Sequence, residues 1–219
     1  MSASVPAAVL PGAIADALRG DIVDARLTPG DTVTEAAVAL RFGVARSTAR
    51  IAIEKLVADG LLRREAHRAA RVPELERTDI VDLYASRGVV EGAAMRWLAE
   101  DGAVPAAALT AHRGIRTAAK DRTAFAAQDI AFHRALVAGQ RSARLARMHD
   151  QLMGEIELGI GQVQAHGLMS ATTIAEQHEY ILAAIIAGDG ERAERLAREH
   201  VAHARDALLA HYDATHTEG

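Results

Sequence analysis

One stretch decides how the first third of this 219-residue chain folds: Phe42-Gly43-Val44-Ala45-Arg46-Ser47-Thr48-Ala49-Arg50. Gly43 predicts a tight turn between two short helices, because glycine readily adopts the left-handed backbone conformation that ends a helix. After the turn, Arg46 and Arg50 lie one helical turn apart, with Ser47 and Thr48 beside them. The spacing therefore predicts a helix that begins with two hydroxyl groups and exposes two arginines.

The sequence around this stretch predicts three helices and a short hairpin. A first helix is indicated by apolar residues at helical spacing, Ile14, Ala17, Leu18 and Ile22. Pro29-Gly30 breaks the chain, Thr34 is a candidate N-cap for a helix over Glu35–Phe42, and a third helix follows over Arg46–Ala58. After Gly60, residues 61–64 and 69–72 are expected to pair as two short strands around His67-Arg68.

The third helix has the side chains that a helix needs in the major groove of DNA. Arginine can fork onto guanine or onto phosphate, and hydroxyls at a helix N-terminus can hold phosphate. Residues 46–71 contain seven basic and three acidic residues, although the whole chain has a net charge of −4. The alternative is that Arg46 and Arg50 are ordinary surface arginines, and spacing by itself does not decide between the two interpretations.

The stretch from Pro29 to Leu62 resembles the winged helix-turn-helix of GntR-type bacterial transcription regulators. The resemblance implies that operator DNA is contacted by Arg46, Ser47, Thr48 and Arg50, and that the wing tip, His67-Arg68, enters the minor groove. The sequence departs from the family pattern at several positions, among them Ala36, where some members have an arginine, and His67, where a glycine is common. These departures bear on the operator sequence and on the wing contact.

Composition limits the remaining possibilities. The chain has no cysteine, which excludes disulfides, iron–sulfur clusters and cysteine-based zinc sites. No apolar run of 18 residues is present and the N-terminus lacks the features of a signal peptide, so we expect a cytoplasmic protein without a membrane segment. Alanine and leucine dominate and aromatic residues make up 3%, which indicates a mainly α protein.

The rest of the chain is expected to form an all-α six-helix bundle. Helical periodicity and breaks at glycine predict helices over 78–100, 104–119, 122–139, 142–165, 171–187 and 190–213. The predicted organisation is a DNA-binding domain over 1–73, a linker over 74–77, a helical domain over 78–213 and a tail over 214–219.

Four polar residues fall on apolar faces of three of these helices: Asp129, His133, His178 and His200. Burying them is costly unless they share a partner, and one divalent metal ion satisfies all four. Neutral imidazoles and a carboxylate suit Zn, Ni, Mn or Fe. A single inward-facing histidine is more often an ordinary core residue, and His203 is an alternative to His200. The remaining histidines, at positions 112, 149, 166, 211 and 216, are assigned to the surface or to packing.

Two further motifs resemble the FCD ligand-binding domain of the FadR branch of the GntR family. One runs from Asp129 to Leu136, and the other from His178 to His200. In metal-binding members, the equivalents of Asp129, His133, His178 and His200 hold one divalent ion, and a carboxylate of the effector often completes its coordination. Six helices are more like the VanR subgroup.

Arg87 lies on the apolar stripe of the first bundle helix, and Glu91 follows four residues later. The family pattern has an arginine at this position. An inward arginine can hold a second oxygen group of an anionic effector. The alternative is a helix-stabilising pair between Arg87 and Glu91.

The sequence therefore predicts a homodimeric transcription regulator rather than an enzyme. The expected activity is repression that a small carboxylate relieves by binding at the metal, although activation is not excluded. The alternatives are a metal-sensing regulator and a His/Asp metalloenzyme, against which the absence of an HExxH motif argues.

Overall fold

The computed structural model describes residues 10–66, 68–118 and 121–216. Residue contacts divide the chain into two compact units, Met1–Glu74 and Leu75–Gly219. Within the described residues, the elements follow in the order α1 (Leu10–Val23), β1 (Thr32–Val33), α2 (Glu35–Phe42), α3 (Arg46–Ala58), β2 (Ala70–Arg71), α4 (Arg77–Glu100), α5 (Ala106–Thr117), α6 (Arg122–Gly139), α7 (Ala143–Ala165), α8 (Ala171–Ile186) and α9 (Gly190–His216).

The N-terminal unit is a three-helix core with a small antiparallel sheet. The apolar stripe of α1 packs on α3, burying Ile14, Leu18, Ile53 and Leu56. The hydroxyl of Thr34 accepts from the backbone N–H of Ala37 at 3.1 Å, which caps α2 as its sequence predicts. Gly43 ends α2 with φ +64°, so the chain turns directly into α3.

The wing differs from the predicted hairpin. The strands that pair are β1 and β2, with Thr32 opposite Arg71 and Val33 opposite Ala70. The predicted first strand, over 61–64, is reduced to a single bridge between Arg63 and Arg71. The reason is that the N–H groups of Leu61 and Leu62 both bond to the carbonyl of Leu56, so this segment closes the end of α3.

Six helices make up the described part of the C-terminal unit, and their bounds lie within three residues of the predicted ones. The structure starts α4 at Arg77, one residue early, because Glu76 and Asp79 form a reciprocal capping box. The last helix, α9, continues to His216 and is held to the start of α4 by an ion pair between Arg77 and Asp213, at 3.0 Å. No described helix has the length and apolarity that a membrane crossing requires.

The core of this unit lies between α4, α5, α6, α8 and α9. Helix α4 packs along α9, where Gly92 gives room for the side chain of Arg198; a Cβ at this glycine would lie 3.1 Å from Arg198 Nε. The aromatic rings Phe125 and Phe132 fill the centre with aliphatic residues from every one of these helices. Inward-facing positions on α6, α8 and α9 therefore converge on one interior region.

Candidate functional site

Three histidines from three helices meet in the interior of the C-terminal unit. His133 on α6, His178 on α8 and His200 on α9 are all buried, and one ring nitrogen of each lies within 4.8 Å of the other two. The Nε2 atom of His200 lies 3.3 Å from the Nε2 atoms of both His133 and His178. The structure thus brings together three side chains that are 22 to 67 residues apart in the sequence.

Asp129, the fourth predicted ligand, joins the same group. It lies one turn before His133 on α6, and its Oδ1 atom is 3.7 Å from Nε2 of His133 and 3.5 Å from Nε2 of His178. This oxygen is buried and has no hydrogen-bond partner among the described residues. A carboxylate oxygen without a partner in the interior is costly, so its environment favours a cation.

Packing holds the imidazole rings in place. The ring of Phe132 stacks on that of His178, with centroids 3.9 Å apart and an interplanar angle of 17°. The rings of His133 and His200 stack at 5.2 Å and 19°. Phe132 and His133 are neighbours on α6. This helical turn therefore positions the ring of His133 directly and the ring of His178 through its contact with Phe132.

Hydrogen bonds at the outer nitrogens orient two of the rings. Nδ1 of His133 lies 2.8 Å from Oε2 of Glu91, and Nδ1 of His200 lies 2.7 Å from Oε1 of Gln177. Both oxygens are acceptors, so Nδ1 of each ring donates outward and Nε2 points into the cluster. The two Nε2 atoms lie 3.3 Å apart there, where one cation can be shared between them.

The donor set passes a geometric test for a metal ion. Metal–nitrogen bonds of about 2.0–2.1 Å at angles near 90–110° place ligand atoms roughly 2.8–3.4 Å apart. The two measured Nε2–Nε2 separations fall in that interval, and the Asp129 contacts are slightly longer. Partners at the outer nitrogens are also a regular feature of histidines that ligate metals.

Burial shifts two of the histidines toward their metal-binding form and the carboxyl group of Asp129 away from it. It lowers the pKa of His178 and of His200 well below the ordinary value, so both imidazoles are neutral near pH 7. Burial also raises the pKa of Asp129, which in the absence of a cation resists ionisation. Neutral histidine is the form that binds metal, and a bound cation would favour the ionised carboxylate.

Arg87 and Glu91 form the predicted pair on α4, at 2.6 Å, with both side chains buried. Burial acts to raise the pKa of Glu91, but Arg87 and His133 hold it well below its usual range. Glu91 thus links the arginine to a ring of the histidine cluster, a role that the sequence analysis missed. It also lies 3.4 Å from Nε2 of His149, which is buried against it.

Tyr84, one turn before Arg87, is a second residue that the sequence analysis missed. Its hydroxyl is buried and has no hydrogen-bond partner among the described residues. Burial raises the pKa of Tyr84 to about 12, so the phenol stays protonated and can donate. Space for the hydroxyl comes from Gly159 on α7, where a Cβ would lie 2.6 Å from the oxygen. The signal in the sequence was the stripe that Tyr84 shares with Arg87 and Glu91.

His203, the alternative to His200, lies outside the cluster. It is exposed, and its Nδ1 lies 2.9 Å from Nε2 of Gln177, the same amide that contacts His200. Gln177 was not singled out from the sequence, although it directly precedes His178. The amide therefore connects the exposed histidine to the buried one.

The side chains predicted to contact DNA lie at the surface of the N-terminal unit. Arg46, Ser47 and Arg50 are exposed and Thr48 is half-buried at the start of α3. No side chain among the described residues caps this helix, so its first N–H groups remain available to a phosphate. Arg50 pairs with Glu54 at 2.7 Å on the same face. Arg68 is exposed, whereas His67 lies outside the described residues.

Comparisons with known proteins cover both units. Residues 10–72 match the family described as bacterial regulatory proteins, gntR family, and residues 82–203 match the FCD domain. A relative from Paenarthrobacter nicotinovorans, named a probable D-xylose utilization operon transcriptional repressor, is 32% identical over 191 residues, which are 83% of this chain and 81% of the relative.

Two solved structures have the same fold. A putative GntR transcriptional regulator from Rhodococcus sp. RHA1 superposes with a TM-score of 0.77 at 28% identity, covering 92% of this chain and 98% of the other. E. coli McbR/YncC superposes with a TM-score of 0.74 at 20% identity, covering 92% and 97%. At 20% identity, the similarity to the E. coli protein shows a shared fold and nothing further.

Proposed function

This chain belongs to the GntR family of bacterial transcription regulators and carries an FCD domain, and we propose that it is a metal-dependent, effector-released repressor. It is a DNA-binding regulator rather than an enzyme. Repression is supported by the relative that is 32% identical, which is named a repressor. The protein is proposed to act in the cytoplasm. It is proposed to bind DNA as a homodimer, because a two-fold operator requires two recognition helices.

The metal is proposed to be a divalent ion, Zn, Ni, Mn or Fe, held by Asp129, His133, His178 and His200. The observation that carries this proposal is the group of three buried Nε2 atoms, with that of His200 lying 3.3 Å from the other two, beside a buried carboxylate oxygen that has no hydrogen-bond partner among the described residues. When bound, the ion supplies positive charge and open coordination positions for an anionic oxygen, since four protein ligands leave room in an octahedral site.

The effector is proposed to be a small carboxylate, and α4 supplies the groups that recognise it. Arg87 donates to Glu91 through Nε, and its terminal amino groups are proposed to donate to an anionic oxygen of the effector. The hydroxyl of Tyr84 donates to a second oxygen of the ligand, since this buried group has no partner among the described residues. Effector binding lowers operator affinity only to the extent that it favours the form with weaker DNA binding.

The test is a fluorescence anisotropy titration of the full-length protein on DNA from upstream of its own gene. Competition with unrelated DNA at fixed, near-physiological salt separates specific binding from the general attraction of phosphates. We expect binding that resists the competitor, and release when small carboxylates are added to the metal-loaded protein but not to the chelated protein. If this DNA binds no better than unrelated DNA, and genome-wide selection also finds no preferred site, the proposed sequence-specific regulation is wrong. Release by the metal ion alone would identify a metal sensor instead.

Tyr84→Phe tests the effector site because it keeps the ring and removes only the hydroxyl. We expect the concentration of carboxylate that releases half of the DNA to rise about tenfold, the effect of one lost hydrogen bond to a charged group. Metal content, measured by elemental analysis, should be unchanged. The control is Tyr180→Phe, at an exposed position on α8. If the Tyr84 variant releases DNA at the same carboxylate concentration as the wild-type protein, the hydroxyl does not contact the effector and Tyr84 has only a packing role.

A further inference from the structure

A cleft with a strong positive charge lies in the N-terminal unit between the start of α2 and the wing. Its walls include three arginines, Arg46 at the start of α3, Arg64 after α3 and Arg68 in the wing, and one acid, Glu35. Arg46 lies in a different segment from Arg64 and Arg68, and the fold brings the two segments to one concave surface. An arrangement of three positive charges against one negative charge is suited to an anion.

The arginines of the cleft are incompletely paired. Arg46 has no ion-pair partner among the described residues, and Arg68 pairs at the exposed surface with Glu65, at 2.9 Å. A terminal nitrogen of Arg64 lies 3.6 Å from Glu35 Oε1, too far for a good hydrogen bond. The Nε atom of Arg64 is buried and has no hydrogen-bond partner among the described residues. The guanidinium of Arg64 therefore lacks a full set of hydrogen-bond acceptors, which an anion in the cleft can supply.

The N-terminus of α2 adds to the positive potential of the cleft. Thr34 caps only the N–H of Ala37, so the N–H groups of Glu35 and Ala36 are not used within the helix. Ala36 lines the cleft and is exposed, and its small side chain leaves this helix end open. Helix N-termini with free N–H groups attract phosphate.

We propose that this cleft binds a phosphate of the DNA backbone, with Arg64 as its principal donor. The inference rests on the proposed function and extends it, because Arg64 is absent from the contacts that the sequence predicted. Arg46 belongs both to the cleft and to the exposed start of α3, so the phosphate lies beside the bases that α3 reads. Glu35 opposes the phosphate and holds Arg64 when DNA is absent.

A phosphate contact has a measurable signature that a base contact lacks. Each phosphate neutralised by a protein contributes about 0.9 to the slope of log affinity against log salt, whatever the base sequence. The experiment therefore uses the full-length protein and a duplex of arbitrary sequence, with affinity measured by anisotropy over a series of NaCl concentrations. The variants are Arg64→Ala, Arg64→Lys and Glu35→Gln, with Arg192→Ala, at an exposed position on α9, as the charge-matched control.

We expect Arg64→Ala to reduce the steepness of the slope by about 0.9 for each protomer bound. Arg64→Lys should keep most of the slope, since it retains the charge, and Arg192→Ala should leave it unchanged. Glu35→Gln should strengthen binding severalfold by removing a negative charge from the cleft. This opposite effect keeps the proposal testable even if Arg64→Ala unfolds the unit, which a circular dichroism melt would reveal.

Two results would overturn the proposal. One is an unchanged slope in folded Arg64→Ala, while Arg50→Ala still weakens operator binding; the cleft would then not touch DNA although the proposed function stands. The other is binding by Glu35→Gln that is equal to or weaker than wild type. If the wild-type protein shows no salt-dependent affinity for any duplex, the proposed function itself fails, and the phosphate assignment with it.

Discussion

The arginines of the N-terminal unit and the histidines of the C-terminal unit differ in their exposure to water and therefore in their charge. Arg46, Arg50 and Arg68 are exposed, so their charges are hydrated and act on a partner from outside. His178 and His200 are buried, and burial removes their charge at neutral pH. An exposed cation needs no internal partner, whereas a buried polar group must find one.

This difference in burial determines how many parts of the fold each site depends on. The arginines keep their charge wherever the helix places them, and a neighbouring acid such as Glu54 modulates them by only a modest amount. The buried cluster depends on several helices at once, because its ligand atoms come from α6, α8 and α9 and the outer nitrogens of His133 and His200 contact residues on α4 and α8. We therefore expect substitutions in the cluster to have larger effects than substitutions among the arginines.

The largest effect is expected for His178→Ala. Removing one ligand from the cluster should weaken metal binding by more than about 100-fold, since even the loss of an outer partner costs about 10- to 100-fold. Elemental analysis after dialysis should find little metal. The matched control is His112→Ala, which removes a buried ring near Phe132 and His178 that is not one of the proposed ligands. Full metal occupancy in the His178 variant would show that the site is misassigned.

Gln177→Ala should have the next largest effect. It removes the acceptor at Nδ1 of His200 without touching a proposed ligand, so we expect metal affinity to fall by about 10-fold, measured by competition with a chelating dye. His203→Ala is the control, because it removes only the other neighbour of this amide. A larger loss in the His203 variant than in the Gln177 variant would make His203 the ligand.

The metal-free protein should lose stability as the pH falls below about 6.5. In the unfolded chain, histidine has its ordinary pKa of about 6.5, whereas burial lowers the pKa of His178 and His200 in the folded chain. The unfolded state therefore binds more protons in this window, and each histidine contributes a slope of up to about 1.4 kcal/mol per pH unit. Asp129, whose pKa burial raises, acts in the opposite sense at more acidic pH.

Urea unfolding of the metal-free protein at pH 7.5, 6.5 and 5.5 measures this dependence. His200→Gln should reduce the slope, because one buried titrating ring is removed. His211→Gln, at a partly exposed position near the end of α9, is the control and should preserve it. Equal stability across the window would mean that the buried rings accept protons without unfolding.

Arg50→Ala should have the smallest effect. We expect operator affinity to weaken by about fivefold, or about 1 kcal/mol, at the low end for an arginine that contacts DNA. The reason is that Arg50 must leave Glu54 before it binds. Anisotropy on operator DNA measures the loss, and Arg192→Ala is the control. An unchanged operator affinity would show that Arg50 does not contact DNA. If Arg50→Ala weakened operator binding as strongly as His178→Ala weakens metal binding, the expectation that the buried cluster is more sensitive than the exposed arginines would be wrong.

Local patterns account for what the sequence predicted well. The bounds of α6 were predicted to the residue because its apolar period is helical and Asp121 caps it, accepting from the N–H of Ala124. The turn at Gly43 was predicted for the same kind of reason, since its backbone conformation suits glycine. Asp129 and His133 lie on one face because they are four residues apart.

Contacts between distant segments account for what it missed. The strand that pairs with β2 is β1, nearly forty residues earlier, and two residues leave no periodic signal. Gln177 orients His200 across two helices, and Glu91 on α4 orients His133 on α6. The cleft that contains Arg64 is formed by three separate segments.

The sequence by itself determined the helices, their capping and turns, the family resemblance and the four candidate ligands, because these depend on spacing along one segment. Only the tertiary structure decided which nitrogen of His133 and His200 faces inward, that Arg87 and Glu91 are buried beside them, and that three arginines share one cleft. Those properties follow from distances across the fold and from the exclusion of water, which no single stretch of sequence encodes.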